Sequence, residues 1–280
     1  MVKSLKFCLS LFALLALSNC QNPDEYKEYS ISERKKMSIE YLENGEKNFG
    51  QGSPQNMELI EIAIKLDTTN AAAWRELSVP YLKRGIPHEW KQLFDKAVKI
   101  DPTVWQGWRG YLKLFFYRDY EAAIDDFNAT DTLTPGFTDY PQSMSVDYLR
   151  GLAYFQLGDS QRALDYYTKY INEVTAKSGE DWVDVYAFIH RAIVFIKLNE
   201  YEKAITDLEK CLKYYSSSSD AYYHLAAINL QLGRKQIAKE QIVKAKDLFE
   251  KGYYMHRPYV ETFGQIDLFA IEEIEKKTTE

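Results

Sequence analysis

The stretch that decides the fold is residues 74–102, which read WRELSVPYLKRGIPHEWKQLFDKAVKIDP. Trp74, Leu77 and Tyr81 recur at steps of three and four residues, so they share one face of a predicted helix. The small side chain of Ser78 on this helix lets a second helix approach closely. The first half of the stretch therefore predicts the first helix of a tightly packed pair.

The second half of the stretch predicts the partner helix. Gly85 permits the turn between the two helices. Pro87 suits the first turn of the second helix, because the N–H that proline lacks would have no intrahelical partner there. Phe94 and Ala97 form the inner stripe of this helix. Pro102 ends it, since the residue before a proline is disfavoured in the α region.

The same pattern recurs along the chain at a period of 34 residues. Trp74 recurs as Trp108, and Phe188 recurs as Tyr222. One helix pair cannot bury its own apolar face, so neighbouring pairs must stack on each other. In its motif residues and its period, the sequence resembles the tetratricopeptide repeat (TPR) family over roughly residues 33–252.

The resemblance implies an all-α fold, a right-handed TPR superhelix (α-solenoid) of about six helix pairs plus a C-terminal cap helix. The predicted segments are a lipoprotein-type signal peptide at 1–20, a linker at 21–32, the TPR array at 33–252, and the cap helix and tail at 253–280. Within this plan, the sequence predicts the pairs Ser32–Asn48 with Pro54–Leu66, Trp105–Leu133, Val146–Thr175, Val183–Tyr214 and Ser219–Phe249.

Three irregularities interrupt the array. The spacing from Trp108 predicts that the third pair is one residue short at the turn near Arg118. Insertions follow at Gly136–Pro141 and around Lys177–Asp181, and such insertions in repeat proteins form loops on one face. The last segment, Pro258–Lys276, is predicted to form the cap helix.

The N-terminus reads as a targeting segment. The apolar run Phe7–Leu17 is too short to span a membrane and has the length of a secretory signal. The next residues resemble a bacterial lipobox in which Cys20 is lipidated, although Asn19 stands where that family usually has Gly or Ala. This predicts a membrane-anchored lipoprotein of the bacterial cell envelope, facing the periplasm or the cell surface. The alternative is cleavage after Ser18, which would give a soluble secreted or periplasmic protein.

Composition and motifs argue against nucleic-acid binding and catalysis. The formal net charge is −6, the opposite of a nucleic-acid binder's basic footprint. No phosphate-binding glycine loop, G-x-S-x-G or H-E-x-x-H motif is present, so neither an enzyme nor a cofactor is predicted. His190 and His224 occupy equivalent places in neighbouring repeats, but a metal would need a third ligand, so no metal site is predicted. Cys211 is the only cysteine in the repeats and is predicted to be a buried free thiol.

The resemblance implies that the first helices line a concave groove that binds a partner. Its predicted lining is basic near the N-terminal end and aromatic further on, and consists of Arg75, Arg109, Lys113, Phe116, Tyr117, Tyr148, Phe155, Tyr186, His190, Tyr223 and His224. The basic residues are expected to select an acidic segment of an unidentified protein or peptide partner, while the aromatic residues supply apolar anchors.

The predicted function is binding. The sequence looks like the class of TPR lipoproteins that includes NlpI-type protease adaptors, pilus-assembly pilotins and outer-membrane assembly lipoproteins. It predicts an envelope-anchored adaptor or scaffold that recruits a protein partner. The alternative is a surface lipoprotein that binds a glycan or another small ligand through the aromatic part of the groove.

Overall fold

The computed structural model describes residues 26–279, and all regular elements of this part are helical apart from an isolated bridge between Arg257 and Val260. The α-helices are α1 (Ile31–Asn48), α2 (Pro54–Leu66), α3 (Ala71–Lys83), α4 (Pro87–Ile100), α5 (Pro102–Leu112), α6 (Tyr120–Leu133), α7 (Val146–Gln156), α8 (Ser160–Ser178), α9 (Val185–Lys197), α10 (Tyr201–Tyr214), α11 (Ser219–Gln231), α12 (Lys235–Glu250) and α13 (Leu268–Thr279). The predicted all-α architecture of helix pairs is confirmed. The signal peptide, Cys20 and linker residues 21–25 lie outside the described residues.

The chain divides into two compact units between Leu77 and Ser78. In the first unit α1 packs on α2, and Leu42 and Ile60 are buried. A buried hydroxyl joins the two helices, because the Ser38 Oγ donates to the carbonyl of Ala63 over 2.7 Å. In the second unit one hydrophobic cluster takes in residues of the helices from α3 to α11.

Short polar residues set where the helices begin. Ser30 caps α1 in a capping box with Glu33, each side chain bonded to the other's backbone N–H. Ser53 accepts from the N–H of Asn56 just ahead of α2. Asp101 ends α4 and caps α5 by accepting from the N–H of Val104 over 3.2 Å. These caps pair backbone donors that a helix start otherwise leaves without partners.

The turn inside each pair of the second unit uses one residue with positive φ. It is Gly158 in the α7–α8 turn and Gly233 in the α11–α12 turn, with φ of +82° and +74°. Asn199 takes this conformation between α9 and α10. Arg118 takes it between α5 and α6, with φ of +56°, although a left-handed conformation is unfavourable for a long side chain. Arg118 therefore carries strain that a glycine would not.

The third pair is one residue longer than its neighbours, so the prediction that it is shorter is wrong. A Cβ on Gly110 would meet the Phe127 ring, just as a Cβ on Gly151 would meet the Tyr167 ring, so the two glycines are equivalent. Gly110 and Phe127 are 17 positions apart, whereas Gly151 and Tyr167 are 16 positions apart. A π turn, Lys113–Tyr117, follows α5 and accommodates the additional residue.

The cap helix is shorter than predicted. Helix α13 starts at Leu268, whereas the prediction placed its start at Pro258. Pro258 has no N–H to donate, and Gly264 has φ of +72°, so neither continues a helix. Ile271 of α13 is buried in a cluster with Ala226 of α11 and Ile242 of α12. Helix α13 thus covers the end of the last pair.

Candidate functional site

The predicted basic patch is paired inside the protein. The Arg109 guanidinium donates to both carboxylate oxygens of Asp126, over 3.0 and 2.7 Å, and to Asp95 over 2.7 Å. The Lys113 Nζ lies 2.8 Å from Asp126 Oδ2. Burial opposes the charge of Arg109, but its bonds to Asp126 and Asp95 raise its pKa above the ordinary value. We therefore correct the expectation that these cations are free to select an acidic partner.

The arginine–aspartate clamp recurs in the α9–α10 pair, so it belongs to the packing of both of these pairs. Arg191 occupies in α9 the place that Arg109 has in α5, one residue before a small residue. It holds both oxygens of Asp207 over 2.7 Å. Arg150 occupies the same place in α7 and is 1% exposed, but it bonds Asp147 of its own helix over 2.6 Å and Asp131 of α6 over 2.8 Å. In the first unit Arg75 pairs with Glu76, which is itself buried.

Two residues predicted to line the groove are buried. Tyr148 is 2% exposed and His190 is 5% exposed. The Tyr148 hydroxyl lies 2.6 Å from His190 Nδ1, and His190 Nε2 lies 2.8 Å from the carbonyl oxygen of Phe263. Because a carbonyl can only accept, Nε2 carries the proton and Nδ1 accepts from the tyrosine. Burial lowers the pKa of His190 to about 4, so the ring is neutral at pH 7.

His190 is buried because residues 253–267, which we call the C-terminal strap, lie on the first helices of the second unit. The N–H of Ser219 in α11 donates to the carbonyl of Tyr253 over 2.9 Å. The N–H of Met255 donates to the buried Asp220 carboxylate over 2.8 Å. Further along the strap, Gly264 lies against Ile193 of α9, where a Cβ would come within 2.7 Å of the isoleucine Cδ1.

One side chain of the strap, Arg257, contacts a hydroxyl, a thioether and an aromatic ring. Its guanidinium donates to the Tyr111 hydroxyl over 2.7 Å and lies 2.6 Å from the Met144 sulfur. The same guanidinium lies 4.9 Å from the centre of the Phe115 ring, within cation–π range. Burial raises the pKa of the nearby Asp184 carboxyl, and the positive charge of Arg257 opposes this shift.

A second side chain of the strap, Phe263, fills an aromatic cradle. Its ring centre lies 5.4 Å from that of Phe115 and 6.1 Å from that of Tyr120. The Arg118 guanidinium lies 4.5 Å from the Phe263 ring centre and donates to the carbonyl of Glu261 over 2.8 Å. The guanidinium of the strained turn residue Arg118 thus contacts both a side chain and a backbone carbonyl of the strap.

The remaining predicted groove residues are half-buried. The Tyr117 ring lies 4.6 Å from that of Trp90, and burial raises the pKa of its hydroxyl to about 12. Lys197 Nζ lies 5.2 Å from the centre of the Phe155 ring, and the Tyr223 ring lies 5.1 Å from that of His224. Phe116 and Tyr186 pack against the core. His224 Nε2 is buried without a partner, and burial lowers its pKa to about 4.

The part of the chain that the structure describes holds no group of three His, Cys, Asp or Glu side chains placed to bind a metal. No helix between residues 26 and 279 has both the length and the apolar character needed to cross a membrane. Cys211 is a buried free thiol, as predicted, and burial raises its pKa to about 12.

Only weak sequence signals mark the residues that contact the strap. Arg118 stands where other pairs have glycine or asparagine at the turn, and this departure alone marks the position. Tyr111 and Phe115 read as ordinary core residues of a first helix, because their spacing is helical. Phe263 lies in the segment Pro258–Lys276 that was predicted to be a helix, and Arg257 directly precedes it, so their contacts with the third pair could not be foreseen.

Comparison with known proteins agrees with this arrangement of helices. The tetratricopeptide-repeat family model matches residues 118–180 and 190–238. These two segments match tetratricopeptide repeats. Over 90 residues it is 29% identical to human tetratricopeptide repeat protein 12, and this match covers 32% of the chain but only 12% of that relative.

Solved TPR structures share the fold. PilW, a type IV pilus biogenesis factor, superposes with a TM-score of 0.58 at 18% identity, over 79% of this chain and 94% of PilW. Pseudomonas aeruginosa PilF superposes with a TM-score of 0.55 at 16% identity, over 79% of this chain and 92% of PilF. YrrB, described as a TPR protein with an unusual peptide-binding site, superposes with a TM-score of 0.53 at 16% identity, over 79% of this chain and 99% of YrrB. At these identities the likeness establishes an all-α TPR solenoid fold.

Proposed function

We propose that the chain is a cell-envelope adaptor, anchored by a lipid on Cys20, that binds a protein or peptide partner on the first-helix face of its second unit. One observation carries this proposal. That face already holds a non-helical segment, the C-terminal strap, through backbone and side-chain contacts with α9, α11 and the π turn that follows α5. A surface that accommodates one non-helical segment has the shape and donors to accommodate another.

The structural neighbours support the same class of function. PilW is a pilus biogenesis factor, and YrrB has a peptide-binding site. Pilotins and NlpI-type adaptors are the lipoprotein classes that combine TPR repeats with a lipidated N-terminal cysteine, and we place this chain with them.

The glycan alternative has less support. Tyr148 is buried, so its ring cannot stack on a sugar. Phe155 faces the ammonium of Lys197, and the Tyr117 ring faces Trp90. The aromatic residues that suggested a sugar platform thus already have partners inside the protein.

A photoreactive phenylalanine analogue at Phe155 or Tyr186 tests the binding face, and the same analogue at exposed Val243 on α12 is the control. In the living envelope, we expect one and the same protein to cross-link at both first-helix positions and not at Val243. Cross-linking of the same proteins at all three positions, or at none, would contradict binding on this face.

Anchoring is tested by the pair Cys20→Ala and Cys211→Ala. Bacterial lipoproteins carry several acyl chains, and each buried methylene adds about 0.8 kcal/mol of membrane affinity. We expect Cys20→Ala to lose both the incorporation of a fatty-acid analogue and membrane association, whereas Cys211→Ala retains both. A Cys20→Ala protein that remains labelled and membrane-bound would disprove lipidation at this residue.

A further inference from the structure

The third pair departs from its neighbours at three places, and each departure serves the C-terminal strap. The π turn Lys113–Tyr117 carries Phe115, which contacts both Arg257 and Phe263 of the strap. Arg118 takes a left-handed conformation and binds the strap backbone at Glu261. The residues that follow the first insertion bring Met144 to the guanidinium of Arg257.

Strain of this kind persists where the surrounding structure or a function maintains it. The turn itself does not need an arginine, since Gly158 and Gly233 make the same turn in other pairs. The Arg118 side chain has its contacts with the strap, namely the Glu261 carbonyl and the Phe263 ring. The third pair therefore departs from its neighbours at the positions that contact the strap.

The strap has the features of a bound ligand. It is non-helical, and Tyr259 and Gly264 both have positive φ, at +70° and +72°. Its two anchors are the guanidinium of Arg257 and the ring of Phe263, six residues later. Among the described residues, the groups that touch Arg257 are a hydroxyl, a thioether and aromatic rings, with no carboxylate in an ion pair.

The two ends of the strap are held separately from its centre. Helix α12 ends at Glu250, and Gly252 follows it with φ of +84°. At the other end, Ile266 and Ile271 are buried together against α11 and α12. Residues 253–265 can thus lift away as a loop while α13 stays docked.

We propose that the C-terminal strap is an internal ligand, which occupies the peptide site in cis and is displaced by a partner segment with an arginine and, six residues later, a phenylalanine. This inference rests on the proposed function and adds the chemistry of the partner. The partner's arginine takes the place of Arg257 beside Tyr111 and Phe115. Its phenylalanine takes the place of Phe263 in the cradle, and its backbone carbonyl accepts from His190.

The test uses the full chain and a fluorescent peptide with the sequence of residues 253–267, YYMHRPYVETFGQID. The double variant Arg257→Ala/Phe263→Ala removes both anchors of the strap and leaves the site intact. The matched control is Tyr259→Ala, because this strap residue is 69% exposed and contacts Lys83 through its ring at 5.0 Å. A second peptide, with alanine in place of its arginine and phenylalanine, tests whether the site recognises these two side chains.

We expect the double variant to bind the first peptide at least tenfold more tightly than the wild type and Tyr259→Ala do. Adding Arg118→Gly to the double variant should reverse this gain, and the alanine-substituted peptide should not bind. Binding of both peptides alike, or of neither, would overturn the proposal. Loss of the fold in the double variant would overturn it too, because a displaceable segment cannot be required for folding.

Hydrogen exchange on the wild type gives a measurement that does not depend on the variants. The amides of residues 253–265 should exchange faster when the first peptide is present in excess, while those of α9 and α11 should not. Unchanged strap exchange would show that the peptide does not displace it. If the peptide binds as expected and no envelope protein cross-links at Phe155 or Tyr186, the internal ligand stands and the adaptor function fails.

Discussion

A single carboxylate, Asp126, neutralises two cations at the start of the second unit. Arg109 and Lys113 both bond it, and it is 2% exposed. The sequence shows all three residues, but it shows neither their distances nor their burial. A basic residue on a first helix therefore read as a partner contact, whereas the structure uses it to clamp its own second helix.

The variant Asp126→Asn tests this clamp. Removing one member of a buried ion pair leaves charge without compensation, so we expect the free energy of unfolding to fall by about 3 kcal/mol. The matched control is Asp95→Asn, whose side chain is 32% exposed and which we expect to cost less than about 1 kcal/mol. Urea unfolding measures both, and equal losses would mean that Asp126 is not the centre of the clamp.

At the scale of the element, most of the fold could be predicted. Periodicity located the helix pairs, and Pro87 marked the start of α4 and Pro102 its end as expected, although Pro102 also begins α5. The register of the third pair could not be read, because Trp108 stands 34 residues after Trp74 without occupying the equivalent place. A π turn shifts the register by one residue, and no characteristic amino-acid composition marks it in the sequence.

The corrected register is tested by glycine-to-alanine changes within α5. An added Cβ at Gly110 would lie 2.6 Å from the Phe127 ring, so we expect Gly110→Ala to cost about 1–3 kcal/mol through overpacking. The nearest atom to a Cβ at Gly107 is 3.4 Å away, an ordinary contact. Gly107→Ala should therefore be neutral or stabilise the helix by up to about 1 kcal/mol. Thermal unfolding that ranks the two variants the other way would refute the register.

The C-terminal strap was mispredicted for a related reason. Its residues are apolar at intervals that suit a helix, but Pro258 and Gly264 interrupt the backbone. What fixes its path is contact with residues more than 100 positions earlier, such as Tyr111 and Arg118. Local sequence patterns contain no record of contacts over that separation.

For the whole molecule, two buried histidines predict how stability depends on pH. Burial lowers the pKa of His190 and of His224 to about 4, below the unfolded value of about 6.5. The unfolded chain therefore binds more protons than the folded chain between pH 6.5 and 4, and acid destabilises the fold there. Burial raises the pKa of Asp220 to about 6, so this carboxyl acts in the opposite direction and offsets about one histidine.

We expect the wild type to lose about 3 kcal/mol of unfolding free energy between pH 6.5 and 4, which is the effect of one histidine after the offset. The variant His190→Gln removes one of the two histidine contributions, so its unfolding free energy should change less with pH than that of the wild type. His88→Gln is the control, since the His88 side chain is 71% exposed. Urea titrations at several pH values measure the slopes, and a His190→Gln slope equal to that of the wild type would show that His190 is not a source of the pH dependence.

The strap is covalently joined to the surface that it covers, and this sets a threshold for any competitor. A segment held by short connections has an effective concentration on the order of millimolar, and dilution does not lower it. A partner's apparent affinity is reduced by the fraction of molecules whose site is open. Free partner in trace amounts would leave the site closed, whereas a partner concentrated beside it in an assembly would open it. Because the strap is joined to α12 through Gly252, the chain should respond to the local concentration of its partner rather than to the average concentration in the cell.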